Sequence, residues 1–216
     1  MTTIAVNGSP RKNWNTYLLL EKALEGAASK GAKTELVNIY DLNYKGCLGC
    51  LECKRKDGTS IGKCVVKDDL SPLFDKIAVC DALILGSPIY FGEITGMMRA
   101  FLERLLFQYL SYNEDRTPLT PKQIPTAFIY TMNVSEDLLG AVGYDIKFKT
   151  YKELLERILG PSRILLSTET LQIQDYDKYH MTMFDADDRK YRRDTVFSVD
   201  CQKAFEMGAE MASRAP

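Results

Sequence analysis

The chain has 216 residues with 28 basic and 29 acidic side chains, so its formal net charge is −1 at neutral pH. This balance gives no general attraction to nucleic acid or an anionic membrane, and no apolar run approaches the roughly 20 residues of a membrane-spanning helix. We expect one α/β domain over residues 1–216, large enough to bury a core without disulfides. The sequence opens on a strand pattern without a basic and apolar leader, from which we expect a cytoplasmic protein.

The first twenty residues predict a strand, a turn and the beginning of a helix. Residues 4–6 are apolar, residues 7–10 have turn composition, and residues 18–20 begin a helical stripe. The turn is rich in side chains that donate to phosphate oxygens: Ser9, Arg11, Lys12, Asn13, Asn15 and Thr16. Because the amides and the dipole at a helix N-terminus attract anions, we expect a phosphate site here; simple N-capping is the alternative.

This turn is not one of the common nucleotide motifs. The chain contains no G-x-x-x-x-G-K-[ST] and no G-x-G-x-x-G, so a monophosphate fits better than a nucleoside triphosphate or a dinucleotide. Residues 7–16 closely resemble the FMN-phosphate loop of the NADPH-dependent FMN reductase family, which is flavodoxin-like. The resemblance implies FMN bound through Ser9, Arg11, Asn15 and Thr16. Trp14 departs from it, because such loops often carry a small residue there.

Four of the six cysteines lie close together after the first crossover. A helix over 17–30 and a strand over 34–39 make a right-handed parallel unit with the first strand. Cysteines then follow at 47, 50, 53 and 64. A repeat of three can direct thiolates at a common centre, as soft metals and iron–sulfur clusters require. Zinc and unligated thiols remain alternatives, and thiols that form disulfides would suit a redox sensor.

The family resemblance sharpens the cysteine hypothesis. Iron–sulfur flavoproteins carry a compact C-x-x-C-x-x-C and a nearby fourth cysteine between the second strand and the second helix. The resemblance implies a four-iron four-sulfur cluster held by Cys47, Cys50, Cys53 and Cys64. The ten residues between the last two of these cysteines are more than that motif usually has.

The middle of the chain predicts a second ligand loop. Asp68 and Asp69 cap a helix, and residues 81–86 form an apolar strand typical of a parallel sheet. The following stretch resembles the one with which the family holds the isoalloxazine ring. The resemblance assigns flavin contacts to Ser87, Pro88, Ile89, Tyr90, Phe91 and Gly92.

The next helix, residues 95–111, has an apolar stripe wider than one sheet face requires. This width predicts a helix buried on both sides, against the sheet and a second subunit, giving a homodimer or a dimer of dimers. A thick core beneath the following loop is the alternative. The dimer would complete the flavin site.

The last third of the chain predicts two more strands, over 126–130 and 164–171, and helices over 147–159 and 195–213. Thr131 and Asn133, at the exit of the first of these strands, are weaker candidates for flavin contact. Residues 172–194 show no period and predict a surface loop that acts as a lid or dimer arm. His180 is the only histidine and has no evident orienting partner, so no catalytic side chain is predicted.

Together these elements predict a flavodoxin-like doubly wound sheet of five parallel strands in the order 2-1-3-4-5. The family resemblance implies an NAD(P)H-dependent FMN oxidoreductase, with NAD(P)H as a transient donor and a quinone, flavin, metal or other small molecule as acceptor. The alternative is an electron carrier that uses the cysteine site and a ferredoxin-like partner. A redox sensor is the third hypothesis.

Overall fold

The computed structural model describes residues 1–213. Its sheet has five parallel strands, β1 (Thr2–Asn7), β2 (Lys33–Asn38), β3 (Ala82–Tyr90), β5 (Thr126–Thr131) and β6 (Ser162–Ser167), and a short side strand, β4 (Glu93–Ile94). Six α-helices accompany it: α1 (Asn15–Ser29), α2 (Leu70–Val79), α3 (Gly96–Tyr109), α4 (Tyr144–Ile158), α5 (Ala186–Asp194) and α6 (Val196–Ser213). Within residues 1–213, no helix is both long and apolar enough to cross a membrane.

The parallel strands run in the spatial order β2-β1-β3-β5-β6, and β4 pairs antiparallel with β3. Without the side strand this is the predicted order 2-1-3-4-5, so the flavodoxin-like prediction is confirmed. The order reverses between β1 and β3, where their carboxyl ends leave a crevice. Ligands of such sheets bind at this switch point.

Two apolar layers sandwich the sheet. One lies between the sheet and α2, α3 and α4; the other lies between the sheet and α1 and α6. Within the second layer α1 and α6 approach closely, because a Cβ atom at Gly26 would overlap the carbonyl oxygen of Phe205, and one at Gly208 would overlap that of Ala23. The two glycines therefore set the distance between these helices.

Two strand boundaries differ from the predictions because of pairing. β3 extends to Tyr90, beyond the predicted end at 86, since it pairs with β5 as far as Pro88 and then turns back along β4. β6 ends at Ser167, before the predicted end at 171, because that residue pairs with Thr131, the last residue of β5.

The prediction of a loop over 172–194 is wrong for its last third. Residues 186–194 form α5, whose N-terminus is capped by the Asp185 carboxylate, an acceptor for the amides of Asp187 at 2.9 Å and Asp188 at 3.0 Å. Acidic residues in the first turn and Arg192 and Arg193 in the last complement the helix dipole. This helix has almost no apolar stripe, so hydrophobic periodicity did not reveal it.

The width of the α3 stripe is accounted for within one chain. Most of its large apolar side chains are buried: Met98, Phe101, Leu102, Leu105, Leu106 and Tyr109. The side away from the sheet is covered by the preceding segment, residues 44–66, in which the Tyr44 hydroxyl donates to the Met97 carbonyl at 2.8 Å and Lys54 Nζ donates to the Gln108 carbonyl at 2.8 Å. The stripe alone therefore does not require a second subunit.

Candidate functional site

A cleft opens at the carboxyl ends of β1, β3 and β5, and we call it the strand-end cleft. Nine of the twelve predicted cofactor-binding residues line it: Ser9, Arg11, Asn15, Thr16, Pro88, Ile89, Tyr90, Thr131 and Asn133. The cleft is also lined by Trp14, Met132 and Val134, which lie in the two predicted loops, and by three residues that the sequence did not single out: Tyr144, Thr170 and Gln172. Most of these follow β5 or β6, so their position depends on the sheet order.

The loop after β1 is held by its own side chains. Asn7 Oδ1 accepts from the Ser9 amide at 3.0 Å, Asn7 Nδ2 donates to Asn38 Oδ1 at 2.9 Å, and Ser9 Oγ accepts from the Arg11 amide at 3.1 Å. Trp14, the residue before α1, provides no capping side chain. The first-turn amides of α1 are therefore not capped by that residue and lie beside the cleft, the arrangement that binds phosphate in many proteins.

Trp14 fastens this loop to the segment after β6. Its indole Nε1 donates to the Leu171 carbonyl at 3.1 Å, and the guanidinium groups of Arg11 and Arg193 each lie 5.7 Å from its ring centroid. Arg11 also donates to the carbonyl of Gln172. The large residue that departs from the family loop thus closes the cleft wall.

The Asn15 side chain has both polar ends engaged inside the chain. Its Nδ2 donates to the Leu171 carbonyl at 2.8 Å, and its Oδ1 accepts from Arg193 at 2.6 Å. Thr16 Oγ1 lies 2.8 Å from Thr131 Oγ1 and joins α1 to the end of β5. Asn15 therefore shapes the cleft, while Ser9 and Arg11 are better placed to meet a ligand.

Three predicted flavin contacts lie outside the cleft lining. Ser87 is fully buried, and its Oγ accepts from the Thr95 amide at 3.1 Å. Phe91 and Gly92 form the two-residue turn between β3 and β4, with φ of 51° and 77°, as a type I′ hairpin requires. The Phe91 ring points into solvent and is fully exposed.

Polar contacts with α4 hold this hairpin. Glu93 pairs with Lys147 at 2.8 Å and accepts from the Tyr151 hydroxyl at 2.9 Å, while Lys147 also donates to the Gly92 carbonyl at 2.9 Å. Burial raises the pKa of Glu93, but the hydrogen bonds from Lys147 and Tyr151 outweigh it and the net shift is downward. Tyr90, opposite Glu93 in the hairpin register, is thereby fixed at the cleft.

Two residues that line the cleft each have a side-chain acceptor without a donor. Asn133 Oδ1 and Gln172 Oε1 are buried and have no hydrogen-bond partner among residues 1–213. Buried acceptors of this kind cost free energy unless a bound molecule supplies N–H or O–H groups. The imide N–H and ribityl hydroxyls of FMN are such groups, and the loop after β1 suits its phosphate. The residues present therefore fit FMN.

A second, smaller cavity gathers the four predicted metal ligands, and we call it the cysteine pocket. Cys47, Cys50, Cys53 and Cys64 all line it, and the Gly62 amide donates to the Cys53 carbonyl at 3.0 Å, so the loop between the last two cysteines folds back. All four thiols are free. In the described part of the chain, no three or more His, Cys, Asp or Glu side chains are already arranged around a metal position. The metal assignment stays a prediction.

Arg104 and Gln108 of α3 form one wall of the cysteine pocket. Arg104 is ion-paired with Asp68, and Gln108 Oε1 accepts from the Cys64 amide at 2.9 Å. Burial lowers the pKa of Arg104, but the hydrogen bond to Asp68 and the interaction with the neighbouring Cys64 side chain outweigh it, so the net shift is upward. Burial raises the pKa of Cys53 despite the opposing charge of Lys54. The donor set, four sulfur atoms in a largely apolar pocket beside a cation, fits an anionic thiolate site.

Known proteins similar to this chain include several iron–sulfur flavoproteins. Iron–sulfur flavoproteins from Methanocaldococcus jannaschii and Archaeoglobus fulgidus are each 36% identical to it over 104 residues, which are 48% of this chain. The matched segment covers 51% of the Methanocaldococcus protein and 48% of the Archaeoglobus protein. The chain spans about half the length of the curated relatives it matches. An NAD(P)H:quinone oxidoreductase from Methanothermobacter marburgensis superposes with a TM-score of 0.69 at 16% identity, covering 98% of each chain.

An azoreductase from Bacillus anthracis superposes with a TM-score of 0.66 at 10% identity, covering 97% of this chain and 99% of its own. At these identities both structures show a shared fold. The sequence model of the NADPH-dependent FMN reductase family matches residues 1–134, which include the loop after β1, the cysteine segment, the β3–β4 hairpin and the end of β5. The chain belongs to the NADPH-dependent FMN reductase family.

Proposed function

We propose that the chain binds FMN in the strand-end cleft and acts as an NAD(P)H-dependent oxidoreductase with a quinone, flavin, metal or other small molecule as acceptor. One observation carries the proposal: the first turn of α1, without a capping side chain from Trp14, lies in the same cleft as the unpartnered acceptors of Asn133 and Gln172. A ligand with an anion at one end and N–H or O–H donors along its length satisfies both.

The chain's own residues would bind and orient this ligand. Ser9, Arg11 and the first-turn amides of α1 would hold the phosphate, and Asn133 and Gln172 would accept from its donors. Tyr90, half-exposed at the hairpin, would cover part of the ring and limit access of water. A bound flavin would supply the redox chemistry, which is to accept a hydride and to transfer electrons to the acceptor, so no side chain needs to act as acid or base.

The phosphate role is tested by comparing FMN with riboflavin. Arg11→Ala should weaken FMN by tenfold or more, because a hydrogen bond to a charged group contributes about 1.5–3 kcal/mol, and should leave riboflavin nearly unchanged. Lys12→Ala is the matched control, since Lys12 pairs with Asp41 at 2.7 Å and does not line the cleft. Fluorescence titration measures both ligands. Equal losses for FMN and riboflavin, or an equal effect in the control, would contradict the assignment.

The second candidate is an iron–sulfur flavoprotein that carries electrons and receives them from a ferredoxin-like protein. The convergence of Cys47, Cys50, Cys53 and Cys64 on one pocket favours it, and the similar proteins bear that name. A four-iron four-sulfur cluster there would exchange single electrons with the flavin. Reduction by NAD(P)H alone favours the first candidate, whereas a requirement for a protein donor favours the second.

A homodimer in the cytoplasm is part of the proposal. Phe91, beside the cleft, is fully exposed, and Leu138, Val142 and Ile146 are also exposed. These side chains offer an apolar surface to a second copy of the chain. Sedimentation velocity of the FMN-loaded protein tests this, and a monomer at dilute concentration would contradict it.

A further inference from the structure

Helix α3 places two polar side chains in its buried face, one turn apart. Arg104 is 2% exposed and Gln108 is 3% exposed. Arg104 is held by the Asp68 carboxylate and by the carbonyls of Val66 at 3.3 Å and Lys45 at 3.4 Å, and its guanidinium lies 5.5 Å from the Phe74 ring centroid. These contacts fix the side chain in one position.

Each of these side chains retains a donor that the described residues leave unpaired. Arg104 Nε and Gln108 Nε2 are buried and have no acceptor in residues 1–213. The ion pair with Asp68 uses Nη1 and the bond to Val66 uses Nη2, so neither explains Nε. Likewise, the bond from the Cys64 amide uses Oε1 of Gln108 and leaves its Nε2 free.

Both residues line the cysteine pocket, and so do all four candidate ligands. The rest of its lining is apolar: Leu48, Leu51, Val65, Val66 and Phe107. Apolar side chains offer no acceptor for two N–H groups, and burying such groups without one costs free energy. Apart from Gln108 Oε1, which already accepts from the Cys64 amide, the side-chain acceptors in this pocket are the cysteine sulfur atoms, and a thiolate accepts far better than a thiol.

We infer that Arg104 and Gln108 are positioning residues that donate hydrogen bonds, through Nε and Nε2, to the sulfur atoms of a cluster or metal held by the four cysteines. The inference rests on the iron–sulfur candidate above. Donors to sulfur withdraw electron density, and reduction adds one electron to the cluster without breaking a bond. The two N–H groups therefore stabilise the reduced form and raise the reduction potential.

The test uses FMN-loaded protein reconstituted anaerobically with iron and sulfide. Arg104→Lys keeps the charge and a partner for Asp68 but loses the Nε donor, and Gln108→Met keeps the length but has no donor. Each variant should hold the same iron per chain as the wild type, with a reduction equilibrium shifted tenfold or more toward the oxidised form. For one electron this is about 59 mV to more negative potential in a spectroelectrochemical titration.

Arg99→Lys is the matched control, being the same change on the same helix. Arg99 donates to Glu103 at 3.4 Å and to the Tyr151 hydroxyl at 3.0 Å, and it does not line the cysteine pocket. The reduction potential of the Arg99→Lys variant should therefore equal that of the wild type. FMN binding by each variant shows that the variant is folded. If Arg104→Lys does not fold, Gln108→Met alone tests the inference.

The outcomes separate the two proposals. Failure of the wild type to take up iron would overturn the iron–sulfur candidate and this inference together. Normal iron content with unchanged potentials in both variants would overturn the inference alone. An equal shift in Arg99→Lys would also overturn it, because the effect would then not depend on donors in the pocket.

Discussion

The strand-end cleft and the cysteine pocket differ in how far the chain prepares each for a ligand. The cleft is built from strand ends and a helix N-terminus, and its loop after β1 is fixed by hydrogen bonds of 2.9 to 3.1 Å from Asn7 and Ser9. The pocket lies in a segment without regular strands, with Cys47 and Cys50 exposed and Cys53 buried. The cleft is largely formed, whereas the four thiols lie in one pocket without being grouped around a common position in residues 1–213.

This difference has a physical origin. Parallel strands bring their carboxyl ends together whatever the ligand, so the cleft follows from the fold. The cysteine segment instead packs on α3 through polar contacts, among them the bonds from Lys54 to the Phe107 carbonyl at 2.5 Å and from the Cys64 amide to Gln108. Sulfur atoms bound to a metal or cluster would add further contacts between this segment and α3. We therefore expect the two sites to respond independently to substitution.

The largest effect should come from removing one cysteine ligand. Cys50→Ser should abolish iron uptake during anaerobic reconstitution, because a cluster needs all four thiolates, whereas FMN affinity should stay within about twofold of the wild type. Iron analysis and the visible spectrum measure the first quantity, and fluorescence titration the second. Cys201→Ser is the control, since Cys201 lies on α6 outside the cysteine pocket. A parallel loss of FMN would show that the two sites are coupled.

The sequence was informative where a feature depends on the residue types of short, continuous segments. The donor-rich turn at residues 7–16 predicted a loop whose residues line the strand-end cleft, and the alternation of strand and helix patterns predicted the flavodoxin-like strand order that the sheet has. The three-residue cysteine spacing identified the residues that line one pocket. In each case the signal lies in a continuous segment, so no knowledge of tertiary contacts was needed.

Tertiary contacts account for what the sequence did not reveal. Gln172 and Tyr144 reach the cleft from segments far along the chain, and Ser87, predicted as a flavin contact, is fully buried and does not line the cleft. The wide stripe on α3 predicted a partner subunit; residues 44–66 pack against much of this helix, and the second subunit stays a prediction. The sequence pattern assigned no role to Arg104 or Gln108, and only their burial and their unpaired donors draw attention to them.

An intermediate effect should follow from loosening the cleft wall. Trp14→Ala removes the indole donor to Leu171 and the stacking of Arg11 and Arg193, which together contribute about 1.5 kcal/mol, so FMN affinity should fall about tenfold. Trp14→Phe keeps a ring for the two guanidinium groups and should lose less. Iron uptake should be unchanged in both variants. If the phenylalanine variant is as weak as the alanine variant, stacking does not hold the wall.

The smallest effect concerns pH and the hairpin beside the cleft. The pKa of Glu93 is depressed below its ordinary value of 4.5, so its bonds to Lys147 and Tyr151 stabilise the hairpin above that pH and are lost as the pH falls through the lowered pKa. Glu93→Gln cannot form the ion pair at any pH. Because the pair is partly exposed, FMN affinity at pH 7 should fall only about two- to threefold in this variant.

The Glu93→Gln difference should itself depend on pH. Wild-type and variant affinities should converge below the folded pKa of Glu93, where the carboxyl group is protonated and resembles the amide. Protonation of the FMN phosphate affects both proteins equally, so it cancels when their affinities are compared at the same pH. The same titrations of Glu103→Gln serve as the control, because Glu103 pairs with Arg99 at 3.4 Å and lies outside the cleft lining. A difference between wild type and Glu93→Gln that stays constant as the Glu93 carboxyl group of the folded protein becomes protonated would show that the ion pair does not hold the hairpin.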